Sequence, residues 1–166
     1  MTDHYQMIYK TQAALYDQLV RCEDGDGALL PALMALHPIH HNIIVEFGAG
    51  TGRLTRLLTP YAAKIYAFDI SAHMLETAQG SLAPSVELAV GDNRQMPVRD
   101  GVAHITMAGW SFGHAVAWSP DGWRAEIGLM LAEMARITQP EGVQIIIETL
   151  GTGQAEPHAP NDQLAT

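Results

Sequence analysis

The sequence predicts an α/β protein built on a doubly wound, mainly parallel sheet of about five strands with helices on both faces. Three observations carry that expectation. From residue 42 onward, short apolar runs rich in Val, Ile and aromatic residues alternate with helical stretches, the pattern of right-handed crossovers over a sheet buried on both sides. The first run then meets glycines at every second position, Gly48, Gly50 and Gly52, as a strand does when it turns sharply into a helix. Finally, 166 residues of which 48% are hydrophobic and 16% charged suffice for one domain with its own core and exclude global disorder.

Taken in chain order, Tyr5, Tyr9, Leu15, Tyr16 and Leu19 recur at mostly helical spacing from Thr2 to about Arg21, and Glu23-Asp24-Gly25-Asp26-Gly27 closes that helix. A second helix, Ala28 to Leu36, ends before His37-Pro38, because a residue preceding proline is pushed out of the helical region. Five strands follow: Asn42 to Phe47, Lys64 to Ile70, Val86 to Val90, His104 to Ala108, and Val143 to Glu148. Each is too short for a helix and rich in strand-forming residues. Helices are expected at Arg53 to Leu58, at Ser71 to Gln79 with Ser71 as the N-cap, and at Asp121 to Thr138. Thr138-Gln139-Pro140-Glu141-Gly142 is read as the loop into the fifth strand. The tail after Thr149 is rich in Gly, Pro and Ala and shows no periodicity. The organisation expected is therefore one domain over 1–150, helical at 1–36, with 151–166 as loop or disordered tail.

Eighteen acids against nine bases, only two of them lysines, leave a formal charge of −9. That balance argues against a nucleic-acid partner or an anionic membrane surface. The single cysteine, Cys22, cannot form an internal disulfide, Met1-Thr2-Asp3-His4 lacks the pattern of a secretion signal, and no apolar run reaches membrane-span length. A cytoplasmic protein is expected.

The chemistry concentrates where strands end. Val45-Glu46-Phe47-Gly48-Ala49-Gly50-Thr51-Gly52-Arg53 joins a strand, a glycine turn and a helix start. The glycines admit a ligand close to the backbone, and the helix start offers free N–H groups. Asp69 follows the second strand, 19 residues beyond Gly50, the separation at which an acid reaches the two ribose hydroxyls of a bound nucleotide. Asp92 ends the third and can accept from an exocyclic amine such as adenine's. A dinucleotide fingerprint would need glycine or alanine three residues after Gly50, where Arg53 stands, so NAD is disfavoured. Glu46, in an otherwise apolar strand, is expected to bond loop amides.

In order, Glu46-x-Gly48-x-Gly50-x-Gly52, Asp69-Ile70-Ser71-x-x-Met74-Leu75 and Gly91-Asp92-x-x-x-Met96-Pro97 resemble the first motif, the ribose-binding turn and the adenine-binding segment of the class I S-adenosylmethionine-dependent methyltransferases. The resemblance covers roughly Tyr16 to Thr149. It implies a Rossmann-like fold that binds S-adenosylmethionine and releases S-adenosylhomocysteine. It also implies a cofactor site of Tyr16, Glu46, Phe47, Gly48, Ala49, Gly50, Gly52, Asp69, Ile70, Met74, Asp92, Asn93, Met96 and Trp110. Within it the methionine moiety would lie near Gly48 to Gly52, the ribose on Asp69, and the adenine between Ile70 and Met96 with its amine on Asp92. Tyr16 would come from an N-terminal helix folding over the cofactor as a lid. Trp110 and Phe112, after the fourth strand, either face the sulfonium, as aromatic faces attract positive charge, or cover the sheet.

The activity so implied is methyl transfer to a small-molecule acceptor by in-line displacement. No catalytic residue is legible beyond one candidate, His114, which would serve as general base. Ala103-His104 stands where that family has an aromatic residue and an aspartate, and only Leu150 to Thr166 remains where its members add a sixth and a seventh strand. A non-catalytic domain that binds cofactor or a partner is the alternative. With the fifth strand as a bare sheet edge, a homodimer through that edge is expected. His37, His40 and His41 are read as a surface loop, and no metal is expected.

Overall fold

The computed structural model describes residues 12–80 and 82–149. Its elements are α1 (Ala13–Cys22), α2 (Leu29–Leu36), β1 (Ile43–Phe47), α3 (Arg53–Leu58), β2 (Lys64–Asp69), α4 (Ala72–Gln79), β3 (Val86–Val90), β4 (Ala103–Gly109), α5 (His114–Trp118), α6 (Trp123–Ile137) and β5 (Thr138–Ile147). Tyr5, Tyr9 and the tail from Leu150 lie outside the described residues. The five strands form one sheet in the order β3-β2-β1-β4-β5, and every pairing is parallel.

Burial explains why β1 reads as a continuous apolar run. Along it Ile44 joins a cluster with Leu33, Leu54 and Leu58 from α2 and α3. Val45 and Phe47 join Ala115, Met130, Met134 and Ile137 from α5 and α6 on the opposite face. A strand covered on both sides has no solvent face to make polar. Met134 and Ile137 are fully buried, each contributing about 1.5–3 kcal/mol by leaving water.

The chain leaves β1 outward through β2 to β3, then returns to place β4 on the other side of β1. The order therefore reverses between β1 and β4, and the crevice beyond their carboxyl ends is where open α/β sheets hold ligands.

Two elements differ from expectation. The segment after β4, read as loop, contains α5, whose five residues are too few to show a helical period. The stretch read as the loop into the fifth strand lies within β5. Thr138 already pairs with Ala103 before the ladder resumes at Ile105 and Val143, so Gln139, Pro140, Glu141 and Gly142 stand opposite His104 alone. Proline without an N–H and a glycine bulge are compatible with such an irregularity. At Gly142 a Cβ would stand 2.7 Å from the His104 carbonyl oxygen. β5 is an edge strand among the described residues, with Ile146 exposed.

Candidate functional site

The glycine loop occupies the crevice because its backbone takes conformations that side chains resist. Gly48, Gly50 and Gly52 have φ of 68°, 56° and 85°, all left-handed. Gly48 carries a second requirement, since a Cβ there would collide with the Ser111 Cβ. Ser111, in the segment between β4 and α5, donates to the Phe47 carbonyl at 3.1 Å and holds the two segments together. The space a Cβ would take at Gly50 is bounded by Met74 Cε at 3.6 Å.

Asp69 latches this loop. Its Oδ2 accepts from the Gly50 N–H and its Oδ1 from the Ser71 N–H, each at 2.8 Å. Burial raises its pKa above the usual carboxylate value against the pull of those two amides. Ser71 caps α4 by accepting from the Met74 N–H at 3.4 Å, as its position predicts.

Glu46 corrects an expectation. It is buried and bonds no loop amide; its Oε2 accepts from the Thr55 hydroxyl of α3 at 2.6 Å. Strand alternation turns Glu46 to the face that bears Ile44, beneath α3. Loss of hydration, reinforced by Asp69 and opposed by the Thr55 hydroxyl and the Arg56 charge, pushes its pKa up to about 7.

At the end of β3, Asp92 is engaged by its own neighbour. Arg94 donates through Nε to Oδ1 at 2.9 Å and through Nη2 to Oδ2 at 2.6 Å, and its backbone N–H reaches Oδ1 at 2.9 Å. The side-chain bond from Arg94 holds the Asp92 carboxyl below its ordinary pKa despite some burial. Arg94 also lies 3.4 Å from Glu126 on α6. Next to it, the Asn93 Oδ1 is buried with no hydrogen-bond partner among the described residues.

Beyond β4, Trp110 has a left-handed backbone, φ 52°, uncommon for a bulky residue. Three contacts hold it: its N–H donates to the Ile147 carbonyl at 2.8 Å, its Nε1 to the Thr149 hydroxyl at 3.1 Å, and the Arg53 guanidinium lies 3.9 Å above its ring. Glu148 Oε1 accepts from the Phe112 and Gly113 amides at 3.1 Å, fixing the start of α5. The His114 ring stacks on Trp118 with centroids 5.0 Å apart.

Helix α1 closes the remaining side. Arg53 bonds Glu23 at 2.5 Å, and Arg56 bonds Asp17 at 2.8 Å, so α3, immediately after the glycine loop, is strapped to α1. Leu15, Tyr16 and Leu19 then line the same cavity as the loop.

That cavity measures about 1370 Å³. The structure brings together on its wall Tyr16, Glu46, Gly48, Ala49, Gly50, Asp69, Ile70, Met74, Asp92, Asn93, Trp110 and His114, all named from the sequence. Phe47, Gly52 and Met96, named with them, do not line it. The Phe47 ring is buried edge-on against Phe112, Gly52 packs against Ala78 of α4, and buried Met96 is anchored through its N–H to Glu133 at 2.7 Å. Phe112 belongs to the core as well, so it does not face a ligand. Sequence reasoning missed Leu15, Leu19, Arg53, Ser111, Trp118 and Met130 as cavity residues. The spacing of Leu15 and Leu19 was the available signal, since both fall on one helical stripe and remain more than 60% exposed.

The profile of the methyltransferase domain matches residues 45–146. Malonyl-[acyl-carrier protein] O-methyltransferase of Pectobacterium atrosepticum is 32% identical over 142 residues, covering 85% of this chain and 51% of that protein. The protein of the same name from Serratia marcescens is 27% identical over 148 residues, covering 89% and 53%. Among solved structures, the DhpI–SAH complex aligns with a TM-score of 0.68 at 24% identity, covering 83% of this chain and 64% of that one. The chain spans about half the length of the curated relatives it matches.

Proposed function

This chain belongs to the methyltransferase domain family, in the class I S-adenosylmethionine-dependent group, and from that premise we propose that it binds S-adenosylmethionine and transfers its methyl group to a small-molecule acceptor. The observation that carries the reading is the glycine loop latched to Asp69 where the strand order reverses. Two features fit the cofactor. Among the described residues beyond its chain neighbours, only Met74 lies within 4 Å of where a Cβ would stand at Gly50, and the buried Asn93 oxygen lacks a donor among the described residues.

In this reading Gly48, Ala49 and Gly50 receive the methionine moiety and Asp69 the ribose hydroxyls. Ile70 flanks the adenine, and Asp92 takes its amine in exchange for an Arg94 N–H. Tyr16, on strapped α1, covers the site. S-adenosylmethionine, when bound, supplies an electrophilic methyl on a positively charged sulfur. The protein's work is then placement, because aligning reactants within about 3–3.5 Å supplies most of the acceleration. His114 faces the cavity and takes the proton that the acceptor loses, a role imidazole fills near neutral pH. The names of the two malonyl-[acyl-carrier protein] relatives support transfer to oxygen. In the same reading the exposed β5 edge pairs with that of a second copy as a two-fold dimer.

Calorimetric titration with S-adenosylmethionine and S-adenosylhomocysteine tests the reading. Micromolar binding is expected, and a folded protein that binds neither refutes it.

A further inference from the structure

The Asp92 carboxylate is held in two separable ways. Its Oδ1 accepts from the Arg94 backbone N–H at 2.9 Å, a local bond that fixes the turn after β3 and needs nothing from the arginine side chain. The Arg94 guanidinium grips the same carboxylate a second time, through Nε to Oδ1 at 2.9 Å and through Nη2 to Oδ2 at 2.6 Å. Removing the second grip leaves the first intact. Both side chains are more than a third exposed, and an ion pair so open to water is weak, because solvent competes for each partner.

A second carboxylate stands beside the guanidinium. Glu126, in the first turn of α6, has its Oε2 3.4 Å from Arg94 Nη1. That separation is close enough for attraction but longer than a formed N–H···O bond. The helix N-terminus favours a negative charge at Glu126, and its side chain is less exposed than that of Asp92. The guanidinium is a rigid plane, so Nη1 and Nη2 move together, and drawing Nη1 onto Glu126 takes Nη2 off Oδ2. Asp92, Arg94 and Glu126 all line the cavity of the glycine loop.

Resting on the assignment of the adenine amine to Asp92, we propose that Arg94 sets cofactor affinity by exchanging carboxylates: its guanidinium yields Asp92 Oδ2 to that amine and closes on Glu126. In the exchange Oδ2 trades one N–H donor for another, and Glu126 takes the donor group that Asp92 releases, so the number of charge-assisted hydrogen bonds is kept. Without Glu126 the guanidinium leaves Asp92 for water alone. Without Arg94, Glu126 has no part in binding.

The test is a cycle of calorimetric titrations with S-adenosylhomocysteine on the wild type, Glu126→Gln, Arg94→Met and the double variant, which isolates the coupling between the two residues. Methionine keeps an unbranched stem and removes the fork. Glu126→Gln should bind about threefold to fivefold more weakly than the wild type, the worth of an exposed ion pair. Arg94→Met should bind at least as tightly as the wild type, and the double variant should match Arg94→Met. Unchanged affinity in Glu126→Gln, an equal loss when that substitution is added to Arg94→Met, or weaker binding by Arg94→Met would each overturn the exchange while leaving the cofactor reading in place. A folded wild type that binds no S-adenosylhomocysteine overturns the cofactor reading and the exchange with it, so the two failures are distinguishable.

Discussion

Glu46→Gln should change how stability depends on pH. Glu46 is 2% exposed and has its pKa raised from 4.5 to about 7. Between those values the folded protein retains a proton that the unfolded chain has released, so wild-type stability falls as pH rises through the window and levels off above it. At 1.36 kcal/mol per pH unit, the move from 4.5 to about 7 corresponds to about 3 kcal/mol, lost in full only from well below the first value to well above the second. Glutamine keeps an oxygen to accept from the Thr55 hydroxyl, bonded at 2.6 Å in the native protein, but carries no charge. Its amide N–H₂ is buried without an assigned acceptor, which costs about 1–3 kcal/mol at every pH. The change in stability between pH values is therefore the diagnostic, and the absolute value at one pH is not. Asp69, whose pKa is also raised, adds a slope of the same sign in both proteins. Urea unfolding at pH 5, 6, 7 and 8 should show the wild type losing about 2.5 kcal/mol more than the variant across the series, since part of the loss already lies below pH 5. Parallel curves, differing in slope by less than about 1 kcal/mol, would refute the reasoning, because Glu46 would then be ionised in the native state at little cost.

Asp69→Ala should weaken S-adenosylhomocysteine binding by roughly tenfold to a hundredfold, the about 1.5–3 kcal/mol of a hydrogen bond to a charged group; unchanged affinity in calorimetry removes the ribose assignment. Gly50→Val should abolish cofactor binding, since φ of 56° disfavours a β-branched residue; a folded variant that titrates normally would show that the loop is only a turn. Arg136 bonds Glu133, Asp100 and the carbonyls of Val98 and Met96, so Arg136→Ala should loosen residues 96–100, seen as faster amide exchange there than in the wild type. Size-exclusion chromatography with light scattering should find a dimer whose population falls when Ile146 is replaced by Lys; a strict monomer at high protein concentration refutes pairing through β5.

Much of the fold follows from local pattern. β3 and α3 fall on the residues that the apolar runs and helical spacing predict, and β1, β2 and α4 do so within a residue. In those segments the buried faces are written as runs of Val, Ile and Leu, and Ser71 marks its own helix start. The glycine loop was equally legible, because left-handed backbone at Gly48, Gly50 and Gly52 leaves its trace as residue identity. Asp69 could be placed because its separation from Gly50 spans one helix and one strand. Tertiary structure decided what these groups touch. No local rule takes the Glu46 carboxylate to Thr55 beneath α3, commits Asp92 to Arg94, or removes Phe47, Met96 and Phe112 from the cavity into the core. The same holds for Trp110, whose left-handed backbone survives only through Ile147, Thr149 and Arg53, contributed by distant parts of the chain. The apolar wall of the cavity is the extreme case. Leu15, Trp118 and Met130 are separated by more than a hundred residues from first to last, and only the packing of α1, α5 and α6 around one crevice brings them to the same space.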